Sequence, residues 1–136
     1  MAFVSFVTDG LLYLFQDGQK ICKKGFGHII EFDDTMTQED FVNFFEIIIQ
    51  TFNLRTSGVY HPFYLGLTDR VKEDEWKWES SGKIFNMTQS PRKWGKNEPN
   101  GHKNEDCAVL QVYAIEIHDW NCDRKFTIIC QRKISA

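Results

Sequence analysis

The chain has 136 residues, with 16 Lys and Arg against 19 Asp and Glu, a formal net charge of −3. That length allows one domain with one core over residues 1–136. A content of 42% hydrophobic and 15% aromatic residues excludes a disordered tail. The acidic balance, with no basic run, argues against nucleic acid as a partner, and no apolar run is long enough for membrane insertion.

Residues 3–7, FVSFV, are apolar and β-prone and predict a first strand. Met1 to Val7 has neither a charged n-region nor a long apolar h-region, so it reads as the start of a mature chain and not as a leader. Tyr13 to Lys24 places Leu14, Gly18, Ile21 and Cys22 on one face of a first helix. His28 to Phe32 reads as a short strand. Thr37-Gln38-Glu39-Asp40 resembles a capping box opening a second helix. Phe41, Phe44, Phe45, Ile48 and Phe52 recur along it at helical spacing, the pattern of a core stripe. Asn53 to Pro62 reads as loop and Phe63 to Leu67 as a buried strand. Glu75 to Glu79, EWKWE, alternates with period 2, and Trp76 and Trp78 are expected in the core. Ser80 to Gly101 is long, polar and rich in Gly, Pro and Asn, the signature of a functional loop. Asp106 to Val112 and Phe126 to Gln131 read as closing strands. The order is that of an α+β domain with two helices and small antiparallel sheets.

Cys22, Cys107, Cys122 and Cys130 make an even count in a short chain, which points to two disulfides and an oxidising, extracellular setting. Four cysteines allow three pairings, and their spacing chooses none; four free thiols are the alternative. Asn86-Met87-Thr88 fits an N-glycosylation acceptor.

The stretch KNEPNGHKNEDC, Lys96 to Cys107, crowds Glu98, Glu105 and Asp106 with Asn100 around Pro99. A turn needs the proline and the asparagine; it does not need three carboxylates. Hard cations such as calcium take six to eight oxygen ligands, and the second half of the chain offers Asp69, Glu73, Glu98, Asn100, Glu105, Asp106 and Asp119. The alternative is a solvated acidic face. Nucleophile-elbow, zinc-protease, Walker and dinucleotide fingerprints are all missing, so the chain is not expected to be an enzyme. Glu98 and Glu105 as a glycosidase pair is a remote reading, because carboxylates engaged with a cation are not free to act as acids.

These residues resemble the C-type lectin-like domain over almost the whole chain. Tyr64-Leu65-Gly66-Leu67-Thr68-Asp69 resembles the family's central strand, and Trp76-Lys77-Trp78 the hairpin after it. Trp94, Glu98-Pro99-Asn100, Glu105-Asp106-Cys107 and the Cys122 to Cys130 spacing follow in the family's order, and Phe15, Gly18 and Cys22 match its first helix. The resemblance implies a C-type lectin-like fold with a long calcium- and ligand-binding loop, and the bridges Cys22–Cys130 and Cys107–Cys122. It implies calcium-dependent binding of glycans or glycoproteins, in glycan recognition or innate defence, by a secreted protein. The Glu-Pro-Asn order implies sugars with equatorial 3- and 4-hydroxyls, of the mannose, N-acetylglucosamine and fucose type, whose vicinal hydroxyls coordinate the ion directly. Glu98, Asn100, Glu105 and Asp119 are then the ligands of a sugar-site calcium, and Asp69, Glu73 and Asp106, with Glu105, those of an auxiliary calcium. Gly101 stands where some members carry an aspartate. Counting back from Cys122 without a gap keeps Asp119 in the motif and puts His118 where the family has an asparagine ligand, so His118 joins the carbohydrate-binding set. A gapped alignment would match Trp120-Asn121 instead and place Cys122 in the aspartate position. One such site is weak, which implies a homo-oligomer. A C-type lectin-like domain that binds a protein, lipid or crystal surface is the main alternative.

Overall fold

Two disulfides brace the chain: Cys22–Cys130, 108 residues apart, ties the first helix to the last strand, and Cys107–Cys122, 15 apart, closes a loop in the last third. The computed structural model describes residues 2–56, 58–86, 93–100 and 105–135. In chain order the elements are β1 (Ala2–Val7), β2 (Leu12–Tyr13), α1 (Phe15–Lys24), β3 (His28–Ile29), α2 (Gln38–Thr51), β4 (Arg55–Thr56), β5 (Val59–Tyr60), β6 (Phe63–Thr68), β7 (Lys77–Trp78), β8 (Cys107–Gln111), β9 (Glu116–Trp120), β10 (Phe126–Thr127) and β11 (Cys130–Ser135). One sheet runs β1-β11-β3, a larger one runs β2-β10-β6-β8-β9 with β7 beside β6, and β4 and β5 form a ribbon. All pairs are antiparallel except β10 with β6.

The first helix begins later than its apolar pattern predicts. Leu12 and Tyr13 are claimed by pairing with β10, where Tyr13 faces Phe126, so the helix opens at Phe15 behind an uncapped Leu14. Phe15, Gly18 and Cys22 form its buried face. Gly18 is required there by contact, since a Cβ would lie 2.2 Å from Ile128 Cδ1. The second helix opens where the capping signal predicts: the Thr37 hydroxyl accepts from Asp40 N at 3.1 Å, satisfying one of the free first-turn donors. Its buried face is Phe41, Phe45, Ile48 and Ile49, with Phe44 half-buried and Phe52 at the C-cap. Phe45 meets the rings of Phe32, Phe41, Phe44 and Phe63 at centroid distances of 4.9–6.0 Å. Truncating such a fully buried ring to alanine costs about 3–5 kcal/mol.

The 53–62 segment is not plain loop, because β4 and β5 pair within it. The His28 to Phe32 and Glu75 to Glu79 strands shrink to β3 and β7, and the 126–131 strand divides into β10 and β11 between the two sheets. β9 is likewise unforeseen. It pairs along its whole length with β8, Asp119 opposite Ala108 and His118 opposite Val109. Trp76 and Trp78 are buried, at 2% and 6% exposure, and pack edge-on against Trp94 and Phe32. Among the described residues no helix is long and apolar enough to cross a membrane.

Candidate functional site

The segment 93–95 lies along β9 as a short strand-like run. Ile117 N donates to Lys93 O at 2.8 Å, and Gly95 N donates to Ile117 O at 2.9 Å. Lys93 is 3% exposed, and its ammonium donates to Met36 O at 2.6 Å and Asp34 O at 3.4 Å. Burial pushes its pKa down, against an upward pull from Asp34 and Asp33. The loop is thus anchored both to β9 and to the approach to α2. A tight reversal follows. Glu98 N donates to Gly95 O at 3.0 Å, Asn97 adopts a left-handed φ of 65°, and the Glu98–Pro99 peptide is cis.

This reversal sends Glu98 and Asn100 toward β9. Asp119, only 1% exposed, receives the backbone N–H of Asn100 at 3.1 and 3.2 Å on its two oxygens. In return Asp119 N donates to Glu98 Oε2 at 3.3 Å. The Asn100 carboxamide faces Glu105 and Asp119. Turned nitrogen-inward, it donates to Glu105 Oε1 at 2.8 Å and to the Asp119 oxygens at 3.0 and 3.3 Å. Turned oxygen-inward, it meets only carboxylate oxygens, an arrangement that a cation between them makes favourable. Burial, then the Asp119 carboxyl and the Glu105 charge, push the Glu98 pKa up to about 8. This is the chemistry of carboxylates crowded together in a part-buried place.

His118 lies against Glu98, with Nδ1 3.9 Å from Oε1. Its Nε2 lies 2.7 Å from Glu116 Oε1. Gly95 leaves the space for that pair, because a Cβ there would lie 2.6 Å from His118 Nε2 and 2.8 Å from Glu116 Oε1. Sequence reasoning missed Glu116 and Lys93. Glu116 carries a signal only once β9 is known to be a strand, since residues i and i+2 then share one face.

A second acidic cluster joins Asp69, Glu73 and Asp106, whose nearest oxygens lie within 4.8 Å of one another. Asp69 follows β6 and is 3% exposed; its N–H donates to Asp106 O at 3.1 Å, and its Oδ2 accepts from Asp74 N at 2.9 Å. Asp69 Oδ1 and Asp106 Oδ1 are buried with no hydrogen-bond partner. Burial pushes the Asp69 pKa up to about 7, with the Glu73 and Asp106 carboxyls adding to the rise and the Asp74 N–H opposing it. Buried acceptors without donors are what a cation's ligand set needs, so the chemistry of this oxygen set suits calcium. Asn86 is exposed and its N–H donates to Asp34 Oδ2 at 3.3 Å. Met87 and Thr88 of that motif, and Gly101, lie outside the described residues.

Comparison with known proteins agrees with this geometry. The family described as Lectin C-type domain matches residues 12–132. Mouse C-type lectin domain family 4 member E is 31% identical over 116 residues, covering 82% of this chain and 47% of that protein. Mouse CD209 antigen-like protein D is 31% identical over 83 residues, covering 61% of this chain and 33% of that protein. The chain therefore spans about half or less of these curated relatives. The mouse scavenger receptor C-type lectin carbohydrate-recognition domain shares the fold with a TM-score of 0.76 at 22% identity, over 98% of this chain and 91% of that one. Herring type II antifreeze protein shares it with a TM-score of 0.73 at 19% identity, over 97% and 92%. With its loop, its cysteine bridges and a match over nearly its whole length, the chain belongs to the C-type lectin domain family.

Proposed function

We propose that this domain binds carbohydrate through a calcium ion held by Glu98, Asn100, Glu105 and Asp119. The observation that carries the reading is the convergence of these four residues through the Asn100–Asp119, Asp119–Glu98 and Asn100–Glu105 contacts. The ion supplies the attraction for two vicinal sugar hydroxyls. Around it the carboxylates accept from those hydroxyls and the Asn100 carboxamide donates to them. The Glu98-Pro99-Asn100 order favours the mannose, N-acetylglucosamine and fucose type. Asp69, Glu73 and Asp106 hold an auxiliary calcium that supports the loop.

The fold by itself assigns no ligand, since an antifreeze protein shares it; the assignment rests on the loop residues. The site binds and does not catalyse, because its carboxylates are committed to the ion. Two disulfides support an extracellular location. A hexose at about −0.3 kcal/mol per heavy atom gains about −4 kcal/mol, a dissociation constant near millimolar. Useful avidity for glycans or glycoproteins then comes from several copies, as a homo-oligomer. Retention on a mannose resin in calcium, with elution by a chelator, tests the reading; passage through the resin in calcium would oppose it and favour a non-sugar ligand.

A further inference from the structure

Helix α1 ends in a way that leaves a phenyl ring in water. The N–H groups of Phe26 and Gly27 donate back to Lys23 O and Cys22 O, both at 3.1 Å. This double closure usually ends a helix on a left-handed glycine. Here the left-handed position, with φ 62°, is taken by Phe26, and the glycines stand on either side of it. Gly27 is required by contact, since a Cβ there would lie 2.4 Å from Gln131 O. A glycine at position 26 would close the helix without displaying a ring. A bulky residue in that conformation is an outlier, and such outliers gather at functional surfaces. Phe26 is 93% exposed, more than any other large apolar side chain among the described residues.

Beside this knob lies a hole. A half-open cavity of about 300 Å³ is lined by Val7, Ile21, Ile128 and the Cys22–Cys130 bridge, with Gly25 and Gly27, the two neighbours of Phe26, in its wall. A cavity of about 150 Å³ holds a benzene, so this one has room for a phenyl ring. Phe26 does not fill it, because its ring stands in solvent. The charged groups of the cavity are Asp9 and Arg132. Asp9 complements the exposed Lys23 and Lys24 that precede Phe26, and Arg132 favours a contact that keeps those lysines on the Asp9 side. Val7, Leu11 and Leu12, at 49%, 60% and 52% exposure, add apolar surface in the segment that leads from β1 to α1.

A knob and a hole side by side suit a second copy of the same chain, since a two-fold axis between them brings each knob to the other copy's hole. We infer that the domain pairs with itself by inserting Phe26 of each copy into the Val7, Ile21 and Ile128 cavity of the other. The inference rests on the homo-oligomer reading, for which it supplies the interface, and not on the cation site.

Sedimentation equilibrium of the full chain over about 10 µM to 1 mM, the range of a weak interface, reads the association. The parent chain dimerises. Phe26→Gly weakens the dimer about 10-fold or more, as loss of a central aromatic anchor does. Its urea midpoint at the lowest concentration stays level or rises, because glycine suits the left-handed position. In a mixture of isotope-labelled and unlabelled chains, filtered NOEs connect the Phe26 ring to the Ile21 and Ile128 methyls of the other copy. A parent chain that stays monomeric throughout overturns both the interface and the homo-oligomer reading. A dimer of equal strength in Phe26→Gly, or one without those NOEs, overturns the interface alone.

Discussion

Asn100 and Asp119 are 19 residues apart in the chain, and the backbone N–H of Asn100 bridges both carboxylate oxygens of Asp119. That contact fixes the ligand loop to β9 through a main-chain donor, so it survives a change of the Asn100 side chain. Sugar preference can therefore be altered without dismantling the loop. Exchanging Glu98→Gln together with Asn100→Asp reverses which group donates and which accepts. Glycan-array profiling of the double variant is expected to show mannose-type binding reduced about 10-fold or more, with weak galactose-type binding in its place. Unchanged mannose-type binding would remove Glu98 and Asn100 from the sugar contacts.

The crowded carboxylates give the cation-free domain a distinctive pH profile. Glu98 is raised from 4.5 to about 8 and Asp69 from 3.8 to about 7, both chiefly by burial. Between those limits the folded chain holds more protons than the unfolded chain, so stability falls as pH rises. The contribution is complete below the ordinary carboxylate values and is lost through about pH 7 to 8. Asp9, Asp33 and Glu46 are lowered by hydrogen bonds from Tyr13, Thr35 and Arg55, and they act in the opposite sense at acid pH. In chelator, the denaturation midpoint should fall from about pH 6 to about pH 9; in saturating calcium the fall should vanish, since the ion binds the ionised groups. A midpoint that rises with pH in chelator would contradict this.

Lys93 acts at a distance from the ligand. Its ammonium closes on the carbonyls of Met36 and Asp34 while its own carbonyl receives Ile117 N. Lys93→Met leaves those part-buried carbonyls short of a donor, at a cost of about 1–3 kcal/mol. Loss of stability in urea should come with weaker calcium binding, because segment 93–95 leads into Glu98. Full calcium affinity in a destabilised Lys93→Met protein would confine the lysine to a structural role.

The bridges should differ in worth. Opening a loop of 15 residues costs about 3 kcal/mol and one of 108 about 4.7 kcal/mol by chain entropy. Cys22→Ser with Cys130→Ser is expected to lower stability more than Cys107→Ser with Cys122→Ser. The second pair, beside β9 and Asp106, should cost more in calcium affinity. Equilibrium denaturation and calcium titration on both variants check the crossing order.

What the residues announced in advance follows from how local the signal was. α2 was legible because Thr37 caps it and its phenylalanines repeat at helical spacing. The candidate ligands Glu98, Asn100, Glu105 and Asp119 were picked out by motif order, and the structure brings them together. β9 was not legible as a strand. Its buried slots hold Ile117 and Asp119, and a buried carboxylate breaks the apolar alternation by which a strand is read. With β9 unseen, the pairing of His118 with Glu116 was hidden as well. Lys93 was missed because lysine is seldom buried unless paired, and its partners are backbone carbonyls that no sequence pattern displays. Tyr13 went to a strand because cross-strand pairing with Phe126, a long-range contact, outweighed a local helical pattern.

The central claim is that Glu98, Asn100, Glu105 and Asp119 hold a cation that in turn holds the sugar. Calorimetric titration of methyl α-mannoside into the domain, once in calcium and once in chelator, tests it most directly. The account predicts binding near millimolar in calcium and none in chelator. Equal binding in both solutions, or none in calcium, would contradict it.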